Sequence, residues 1–367
     1  MAFFFERRQA KRPTRAGMQQ TLGLFTTQSC GITAGTMPAL ATYIHNLDPI
    51  IFDVPGTPLA IRWYGLAYVA GFTLGYIVLR WLTQKKLFQM DMDKLGDYVT
   101  LVCILGVLIG GRLGEFFFYW LPENGLSGFM ADPLWVFRVW EGGMASHGGI
   151  LGVGAASLWF AWRNKISVVK LLDGIAITSP IGLFCGRVAN FINGELYGRI
   201  TEAGNPLAMK FPLEIFELPT PQQIRALVAV EHAAGSNLRS LALPGEQFFD
   251  TLSRLCRENQ AVCEALGQFL NPRWPSQLFE AAGEGLLLFI VGLSVRLLWK
   301  KAPDGIFSAI FCFLYPAARI TCECFKEPDA GVWHGITQGQ LLSLIIVAIG
   351  FIFVGISIRN YKLQKNL

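Results

Sequence analysis

Charged residues are scarce in this chain of 367 residues: they make up 16% of it, whereas hydrophobic residues make up 52%. Soluble domains usually carry about 25% charged residues, so composition alone predicts a membrane protein. The formal net charge is only +5, and the basic residues cluster at the ends of apolar segments. This distribution argues against nucleic acid as a partner and makes the lipid bilayer the expected environment.

Several common catalytic motifs are also missing. The four histidines show no H-x-x-x-H spacing, and the eight cysteines include no C-x-x-C pair, so no metal site is predicted. There is no glycine-rich phosphate loop ending in Lys-Ser/Thr and no Gly-x-Ser-x-Gly elbow. No metal or organic cofactor is expected. Most cysteines are interpreted as packing residues; Cys256 and Cys263, in a polar stretch, would be able to pair if that stretch faces an oxidising compartment.

Seven segments are long and apolar enough to cross a bilayer, which needs roughly 20 residues per helix. They predict an all-α polytopic membrane protein with seven transmembrane helices. No internal repeat of the kind that marks many transporters is visible. The predicted spans are Ile61–Leu82, Asp97–Leu121, Gly143–Trp162, Leu171–Ile192, Ser276–Trp299, Gly305–Phe325 and Gly339–Ile358.

The loops between these spans predict the orientation of the protein. Basic residues are enriched after spans one, three, five and seven, and the positive-inside rule places those loops and the C-terminus in the cytoplasm. The N-terminus and the long loop between spans four and five then lie outside, the loop as an extracytoplasmic cap. The predicted regions are 1–42 as a tail, disordered or with a misassigned start, 43–192 as spans one to four, 193–275 as the cap, 276–360 as spans five to seven, and 361–367 as a cytoplasmic tail.

Ionisable residues inside the spans carry the functional information. A central arginine costs about 2.5–3.5 kcal/mol on insertion scales, so it needs a partner, a water cavity or a bound ligand. The ionisable residues are Arg112, Glu115, His147, Asp173, Arg187, Glu280, Glu284, Arg319 and Glu323.

Arg187 stands out because polar residues follow it closely. Arg187 and Asn190 share a helix face at a spacing of three, and Asn193 and Glu195 follow at the predicted outer boundary of the membrane. The planar fork of arginine matches phosphate oxygens, so a lipid head group is a suitable ligand. The alternative is that Arg187 only pairs with Glu195 or with a carboxylate of another helix.

Span six repeats this arrangement. Tyr315, Arg319 and Glu323 are spaced by four and stack on one helix face. Arg319 and Glu323 would be able to satisfy each other as an ion pair, but two arginines together suit one phosphodiester. His147 lies among glycines, which permit close approach of a ligand or a neighbouring helix; the ordinary alternative is a packing histidine.

These residues resemble the prolipoprotein diacylglyceryl transferase family. Gly186–Arg199 fits the family signature Gly-Arg-x-x-Asn-Phe-Ile-Asn-Gly-Glu-x-x-Gly-Arg. The resemblance covers about residues 43–360 except the middle loop. Further family-like motifs are Tyr43–Pro49, Ile61–Leu66, Gly111–Gly114, Trp140–Gly149, Pro275–Glu280, Arg319–Asp329 and Thr337–Gln340.

The resemblance implies an enzyme of the bacterial inner membrane. Such an enzyme transfers the diacylglyceryl group of phosphatidylglycerol to the thiol of a lipobox cysteine in a prolipoprotein, with release of glycerol phosphate. Fixed cations that stabilise the leaving phosphate are the natural catalytic contribution. The implied catalytic residues are His147, Arg187, Arg319 and Tyr64, and the implied substrate-binding residues are Arg187, Asn190, Asn193, Glu195, Gly198, Tyr315, Glu323 and Lys326.

The chain departs from the family pattern at a few positions. Lys326 stands where the family usually has arginine, Trp274 where histidine is frequent, and Ala189 where glycine is usual. A cap over about residues 213–272 is also longer than expected. Two other functions remain open from the sequence: a transporter for an anionic solute or lipid that uses Arg187 and Arg319, and an inactive scaffold with structural ion pairs.

Overall fold

The fold is mostly helical. A computed structural model describes residues 42–53, 60–138, 143–243, 246, 248–327 and 338–365. In chain order its helices are α1 (Trp63–Gln84), α2 (Met92–Ala131), α3 (Ser146–Asn164), α4 (Val168–Ile192), α5 (Thr220–Ala234), α6 (Leu238–Leu241), α7 (Phe248–Glu258), α8 (Gln260–Gly267), α9 (Ser276–Leu298), α10 (Ile306–Glu323) and α11 (Gln338–Lys365).

Four short strands qualify the all-α prediction. Strand β1 (Tyr43–Ile44) pairs in parallel with β4 (Met209–Lys210), and β2 (Ile50–Asp53) pairs antiparallel with β3 (Ala60–Arg62). Such short pairings leave no apolar run or alternating pattern in the sequence, which is why periodicity missed them.

Six helices within the described residues are long and apolar enough to cross a membrane: α1, α2, α4, α9, α10 and α11. They coincide with six of the seven predicted spans. The predicted third span, Gly143–Trp162, is helical as α3 from Ser146 onward, but α3 is not among the six. The count of seven therefore stays a prediction.

The chain divides into two compact units, and one of them contains residues 40–103 and 154–367. Within this unit α1 packs against α4, α4 packs against α9 and α10, and α10 packs against α11. A π-helical stretch, Ala281–Leu287, interrupts α9. Such single-turn irregularities are frequent at functional sites, and this one carries Glu284.

Within the described residues, the other unit contains residues 104–153. There the second half of α2 and the first turns of α3 meet through glycines: a Cβ added to Gly148 would lie 2.3 Å from the Gly110 carbonyl oxygen and 2.5 Å from Gly114 Cα. Small residues of this kind let membrane helices approach closely. Gly148, which follows His147, therefore serves contact with a neighbouring helix.

Arg112 is an intramembrane charge that this unit stabilises by hydrogen bonds and an aromatic contact. The residue is 3% exposed, and its guanidinium donates to the backbone carbonyls of Trp135, Val136, Arg138 and Gly143 at 2.7–3.0 Å. It also lies 4.0 Å from the centre of the Trp135 ring. Backbone oxygens and an aromatic face thus stabilise this cation within the protein.

The segment between α4 and α9 has a hydrophobic core of its own, built from α5 to α8. The helical spacing of the sequence around Gln222–Ala234 predicts one helix, which is α5. The spacing around Glu246–Leu270 predicts another, but this stretch holds two helices, because Asn259 caps the start of α8 by accepting from Ala261 N. Cys256 and Cys263 are free thiols in mutual contact. The core residues include Ile215, Leu218, Val230, Leu252, Leu255, Val262, Leu266 and Leu270.

Candidate active site

The candidate site is formed where three helices bring their charged residues together. Arg187 lies near the end of α4, Glu280 and Glu284 lie in the first turns of α9, and Arg319 lies near the end of α10. Residues four apart on a helix share one face, so both glutamates of α9 point the same way.

Both glutamates bridge both arginines. Oε2 of Glu280 lies 3.2 Å from Arg187 Nη1, and Oε2 of Glu284 lies 3.2 Å from Arg187 Nη2. The other oxygen of each carboxylate faces Arg319 Nη1, at 2.5 Å for Glu280 and 3.1 Å for Glu284. The two guanidinium groups are therefore held side by side by one pair of carboxylates.

Two more charges complete this cluster. Glu323 Oε2 lies 3.6 Å from Arg319 Nε, and Lys326 Nζ lies 3.6 Å from Glu280 Oε1. We call Arg187, Glu280, Glu284, Arg319, Glu323 and Lys326 the charge cluster. Three cations face three carboxylates, so the charge cluster is formally neutral, which lowers the cost of burying each charge.

Burial differs between the members of the charge cluster. The side chains of Glu280 and Glu284 are fully buried, whereas those of Arg187 and Arg319 are 17% and 14% exposed. The arginines are thus the members that reach an accessible surface. A guanidinium has five N–H donors, so each arginine keeps donors for a further anion after its contacts with the glutamates.

The sequence leaves the partners of the two arginines open, and the structure identifies them. Arg187 pairs with carboxylates of another helix and not with Glu195, while Arg319 pairs with α9 as well as with Glu323. From the sequence, Glu280 and Glu284 are intramembrane charges without an assigned role in the site. Two glutamates four residues apart in an apolar span lie on one helix face, and this spacing indicates that they share a partner.

A polar cluster follows directly on α4. Asn190 and Asn193 donate their side-chain amides to the same carboxylate oxygen of Glu195, at 3.0 and 3.3 Å. The backbone carbonyl of Glu195 accepts from Gln277 Nε2 at 2.7 Å. Tyr64, in the first turn of α1, interacts with the side chain of Asn190. The structure thus brings Tyr64, Asn190, Asn193 and Glu195 together.

Gly198 and Lys326 belong to one backbone contact. They form an antiparallel bridge, and Arg199 Nε donates to the Lys326 carbonyl at 2.8 Å. A Cβ at position 198 would lie 2.4 Å from the Phe325 carbonyl oxygen. Close backbone packing therefore accounts for this glycine, and Gly198 positions the residue that carries the third cation.

Buried Arg273 fixes the same region from the other side. It bonds Glu214 through Nε and Nη2 at 2.8 Å each, and its Nη1 donates to the Gly198 carbonyl at 3.0 Å. Burial of the guanidinium lowers the pKa of Arg273, but the charge and hydrogen bonding of Glu214, together with Tyr197 and Glu217, outweigh burial, so the pKa is raised. Arg273 stays charged and was missed by sequence reasoning, because its partner lies far away in the chain.

Tyr315 and His147 are the remaining residues predicted for the site. Tyr315 lies within electrostatic range of Arg187, Glu284 and Arg319. The backbone of His147 lies in the first turn of α3, but its side chain is outside the described residues, so its role stays a prediction. Across the described part of the chain, no group of three or more His, Cys, Asp or Glu residues is arranged to hold a metal ion.

Comparisons with known proteins identify the family of the chain. Residues 49–356 match the family model for prolipoprotein diacylglyceryl transferase. A phosphatidylglycerol–prolipoprotein diacylglyceryl transferase of Bdellovibrio bacteriovorus is 38% identical over 342 residues, covering 88% of this chain and 96% of its own length. Enzymes with the same name from Bradyrhizobium diazoefficiens and Proteus mirabilis are each 35% identical, covering 88% and 86% of this chain and 96% and 94% of their own lengths.

Proposed function

The chain belongs to the prolipoprotein diacylglyceryl transferase family, and we propose that it transfers the diacylglyceryl group of phosphatidylglycerol to the thiol of a lipobox cysteine in prolipoproteins. The second product is glycerol phosphate, and the reaction is the first step of bacterial lipoprotein maturation. The observation that carries this proposal beyond family membership is the pairing of Arg187 and Arg319 by two buried carboxylates.

The reaction needs a displacement at carbon. The cysteine loses its proton, its sulfur forms a bond to the glycerol carbon, and the C–O bond to the phosphate breaks. The electron pair of that bond goes to the phosphate oxygen, so negative charge grows on the leaving group. Fixed cations beside that oxygen lower the barrier because they need not reorganise during the reaction.

Arg187 and Arg319 are suited to this role because their positions are fixed. Each carboxylate of α9 contacts both guanidinium groups, and neither glutamate side chain is exposed. The glutamates therefore orient the arginines, and the remaining N–H donors are free to bind the phosphate in forked geometry. Glu323 orients Arg319 from its own helix, and Lys326 adds a third cation near Glu280.

The polar cluster after α4 provides groups for the glycerol head group. Glu195 accepts hydrogen bonds from Asn190 and Asn193, and its carboxylate retains further acceptor positions for substrate hydroxyls. The proposed site also includes Tyr64, Tyr315 and Gly198. Gly198 contributes by holding the backbone of Lys326. His147 is proposed near the thiol as its base, because the ordinary pKa of histidine, about 6.5, suits proton transfer near neutral pH.

The proposed membrane arrangement has seven spans, an extracytoplasmic N-terminus and a cytoplasmic C-terminus in the bacterial inner membrane. Residues 193–275 then form an extracytoplasmic cap. The distribution of basic loops supports this orientation. Phosphatidylglycerol and the signal peptide of the prolipoprotein both reach such a site from the bilayer. The alternative of an anion transporter is disfavoured, because the relatives that match nearly the whole chain are named transferases.

The test is the release of glycerol phosphate by the purified protein from phosphatidylglycerol, with and without a lipobox peptide that carries its cysteine. Release that requires the thiol, together with a mass gain of one diacylglyceryl group on the peptide, is the expected result. No release from folded protein in several lipids would contradict the transferase function.

Arg187→Ala tests the phosphate contact within that assay. Loss of one preorganised donor at a developing oxyanion typically costs about 10²–10³ in turnover, and Arg187→Lys should recover only part because lysine lacks the fork. Arg239→Ala, at an exposed arginine of α6, is the matched control. Full activity of a folded Arg187→Ala protein would exclude the phosphate clamp.

A further inference from the structure

The turn that follows α4 and carries Glu195 has an unusual backbone. Gly194 and Leu196 have φ angles of +66° and +55°. Glycine adopts this left-handed conformation freely, but leucine does not, because its Cβ lies too close to a backbone carbonyl oxygen. A residue with a side chain keeps such a conformation only where the surrounding structure holds it. The contacts that hold Leu196 therefore indicate which residues shape this turn.

Two neighbouring side chains at the start of α9 hold the turn. Gln277 Nε2 donates to the Glu195 carbonyl at 2.7 Å, and Ser276 Oγ donates to the Leu196 carbonyl at 3.2 Å. These carbonyls belong to the two planar peptide units on either side of the Leu196 Cα. Since the orientations of two planar units define φ and ψ of the residue between them, the two hydrogen bonds fix the conformation of Leu196.

Packing alone does not account for the amide of Gln277. The residue is 0% exposed, and its Oε1 has no hydrogen-bond partner among the described residues. A buried acceptor without a partner is costly, and an apolar side chain of similar size would avoid that cost. The contribution of this amide is therefore its hydrogen bond to the Glu195 carbonyl.

Other contacts of this junction do not depend on the two side chains. Gly198 N donates to the Trp274 carbonyl at 2.8 Å, and Trp274 N donates to the Arg199 carbonyl at 3.1 Å. Backbone hydrogen bonds thus join the end of the turn to the segment before α9. Loss of the Ser276 or Gln277 side chain should leave this junction folded and release only the peptide units beside Leu196.

The same helical turn of α9 also reaches the charge cluster. Glu280 lies four residues after Ser276 and three after Gln277, so the three side chains share one helix face. Glu280 contacts both arginines of the charge cluster, whereas Ser276 and Gln277 fix the backbone of Glu195 and its neighbour. One turn of α9 therefore sets the distance between the Glu195 carboxylate and the two guanidinium groups.

We propose that Ser276 and Gln277 are positioning residues that make the site selective for a hydroxylated head group. They hold the Glu195 carboxylate where it accepts hydrogen bonds from the glycerol hydroxyls while the arginines bind the phosphate of the same lipid. The first turn of α9 is then a spacer that matches the separation of these two groups in phosphatidylglycerol. This inference rests on the proposed function, in which Glu195 binds the head group.

The test measures the head-group preference of the full-length protein without requiring turnover. Dioctanoyl phosphatidylglycerol and dioctanoyl phosphatidylpropanol carry the same phosphate charge, but only the first has hydroxyls on its head group. Isothermal titration calorimetry in detergent gives the Kd of each lipid. The parent protein should prefer phosphatidylglycerol by about tenfold, the effect of one hydrogen bond to a charged group. Equal affinity for the two lipids would overturn the proposal.

Gln277→Leu and Ser276→Ala test the positioning itself. Each variant releases one peptide unit of the turn, so each should lower the preference for phosphatidylglycerol to about threefold or less. The affinity for phosphatidylpropanol should stay within about twofold of the parent value, because the arginines that bind the phosphate are unchanged. Ser276→Ala removes a single oxygen atom and keeps the test decisive if the larger change impairs folding.

Ser308→Ala is the matched control for these variants. It also loses a buried hydroxyl, which donates to Asp173 at 2.7 Å, but Ser308 lies roughly 16 Å along α10 from Arg319. This variant should keep the preference of the parent protein. A preference that survives in both site variants, or that Ser308→Ala loses equally, would refute the positioning role.

The glycerol phosphate assay supplies a second readout. Head-group hydroxyls take no part in bond making or breaking, so their contacts bind the substrate and the transition state alike. Both site variants should therefore raise the KM for phosphatidylglycerol about threefold and leave kcat within about twofold. A lower kcat at unchanged KM would indicate a merely structural role and contradict the proposal. A parent protein that shows the head-group preference but releases no glycerol phosphate would exclude the transferase function and leave the positioning role supported.

Discussion

At the scale of single residues, the charge cluster depends on carboxylates that touch no solvent. Glu280 contacts Arg187, Arg319 and Lys326. Removing one partner of a buried ion pair leaves the other charge uncompensated, which is more costly than removing the whole pair. We therefore expect the loss of Glu280 to destabilise the protein more than the loss of any other member of the charge cluster.

Glu280→Gln should destabilise the protein by about 3–5 kcal/mol and lower transferase turnover, because three cations would then face two carboxylates. The measurement is thermal unfolding in detergent together with glycerol phosphate release. Glu202→Gln, at an exposed glutamate of the segment between α4 and α9, should change neither. Unaltered stability of Glu280→Gln would show that the charge cluster is less tightly coupled than its distances indicate.

His45 is a second residue whose burial affects the stability of the protein. It is 4% exposed and packs between the rings of Phe191 and Phe211 at 5.2 and 5.4 Å. Burial lowers the pKa of His45 from 6.5 to about 4, although backbone hydrogen bonds partly oppose the shift. The native state therefore takes up this proton less readily than the unfolded chain.

The sign of the pH effect follows directly. Between pH 6.5 and about 4 the unfolded chain binds the proton and the native protein does not, so stability falls as the pH falls, by up to about 3 kcal/mol. His45→Gln should flatten this part of the stability curve, measured as unfolding midpoints from pH 7.5 to 4.5. His232→Gln, on the exposed surface of α5, is the control. Parallel curves for His45→Gln and the parent would contradict the assignment.

At the scale of elements, close helix packing depends on individual glycines. Neighbouring Gly148 and Gly149 differ sharply: a Cβ at Gly148 would overlap the backbone of α2, whereas a Cβ at Gly149 would meet nothing within 4 Å. Sequence alone left open whether these glycines serve a ligand or a helix. Because Gly148 contacts α2, the glycine at this position serves helix packing and not a ligand.

Gly148→Ala should therefore destabilise by about 1–3 kcal/mol through overpacking. Gly149→Ala is the matched control and should be neutral or slightly stabilising, since alanine is favoured over glycine within a helix by about 1 kcal/mol. Thermal unfolding of the two variants in the same detergent makes the comparison. Equal behaviour of the two variants would show that α2 and α3 have room to separate at this point.

At the scale of the whole molecule, the open question is which ends of the helices face the cytoplasm. Basic residues such as Lys85 are expected inside because they are retained in the cytoplasm during insertion. Ser236, in the segment between α4 and α9, is exposed and expected outside. These two positions lie in regions with opposite predicted locations and are both accessible to reagents.

Ser236→Cys should react with a membrane-impermeant maleimide in intact spheroplasts, whereas Lys85→Cys should react only after lysis. The parent protein, which contains the exposed free thiol of Cys324, sets the background. Labelling is read as a mass shift. The reverse pattern would invert the orientation and place the segment between α4 and α9 in the cytoplasm.

The class of the protein and the positions of its intramembrane charges can be read from the amino-acid order alone. Long apolar runs with few charges specify membrane helices because lipid leaves the backbone no other way to satisfy its hydrogen bonds. The ordered motifs around Arg187 and Arg319 identified the family before any fold was known. The helix at Thr220–Ala234 was likewise predictable, since its pattern is local.

The pairing of those charges depends on how the helices pack in the folded protein. Periodicity reports which face of its own helix a residue occupies, but not which helix lies opposite. The pairing of Arg187 with Glu280 spans 93 positions of the sequence, and the satisfaction of Arg112 by backbone carbonyls leaves no trace in side-chain spacing. Glu280 and Glu284 bridge both arginines because a buried charge is stable only when an opposite charge lies beside it in the folded protein.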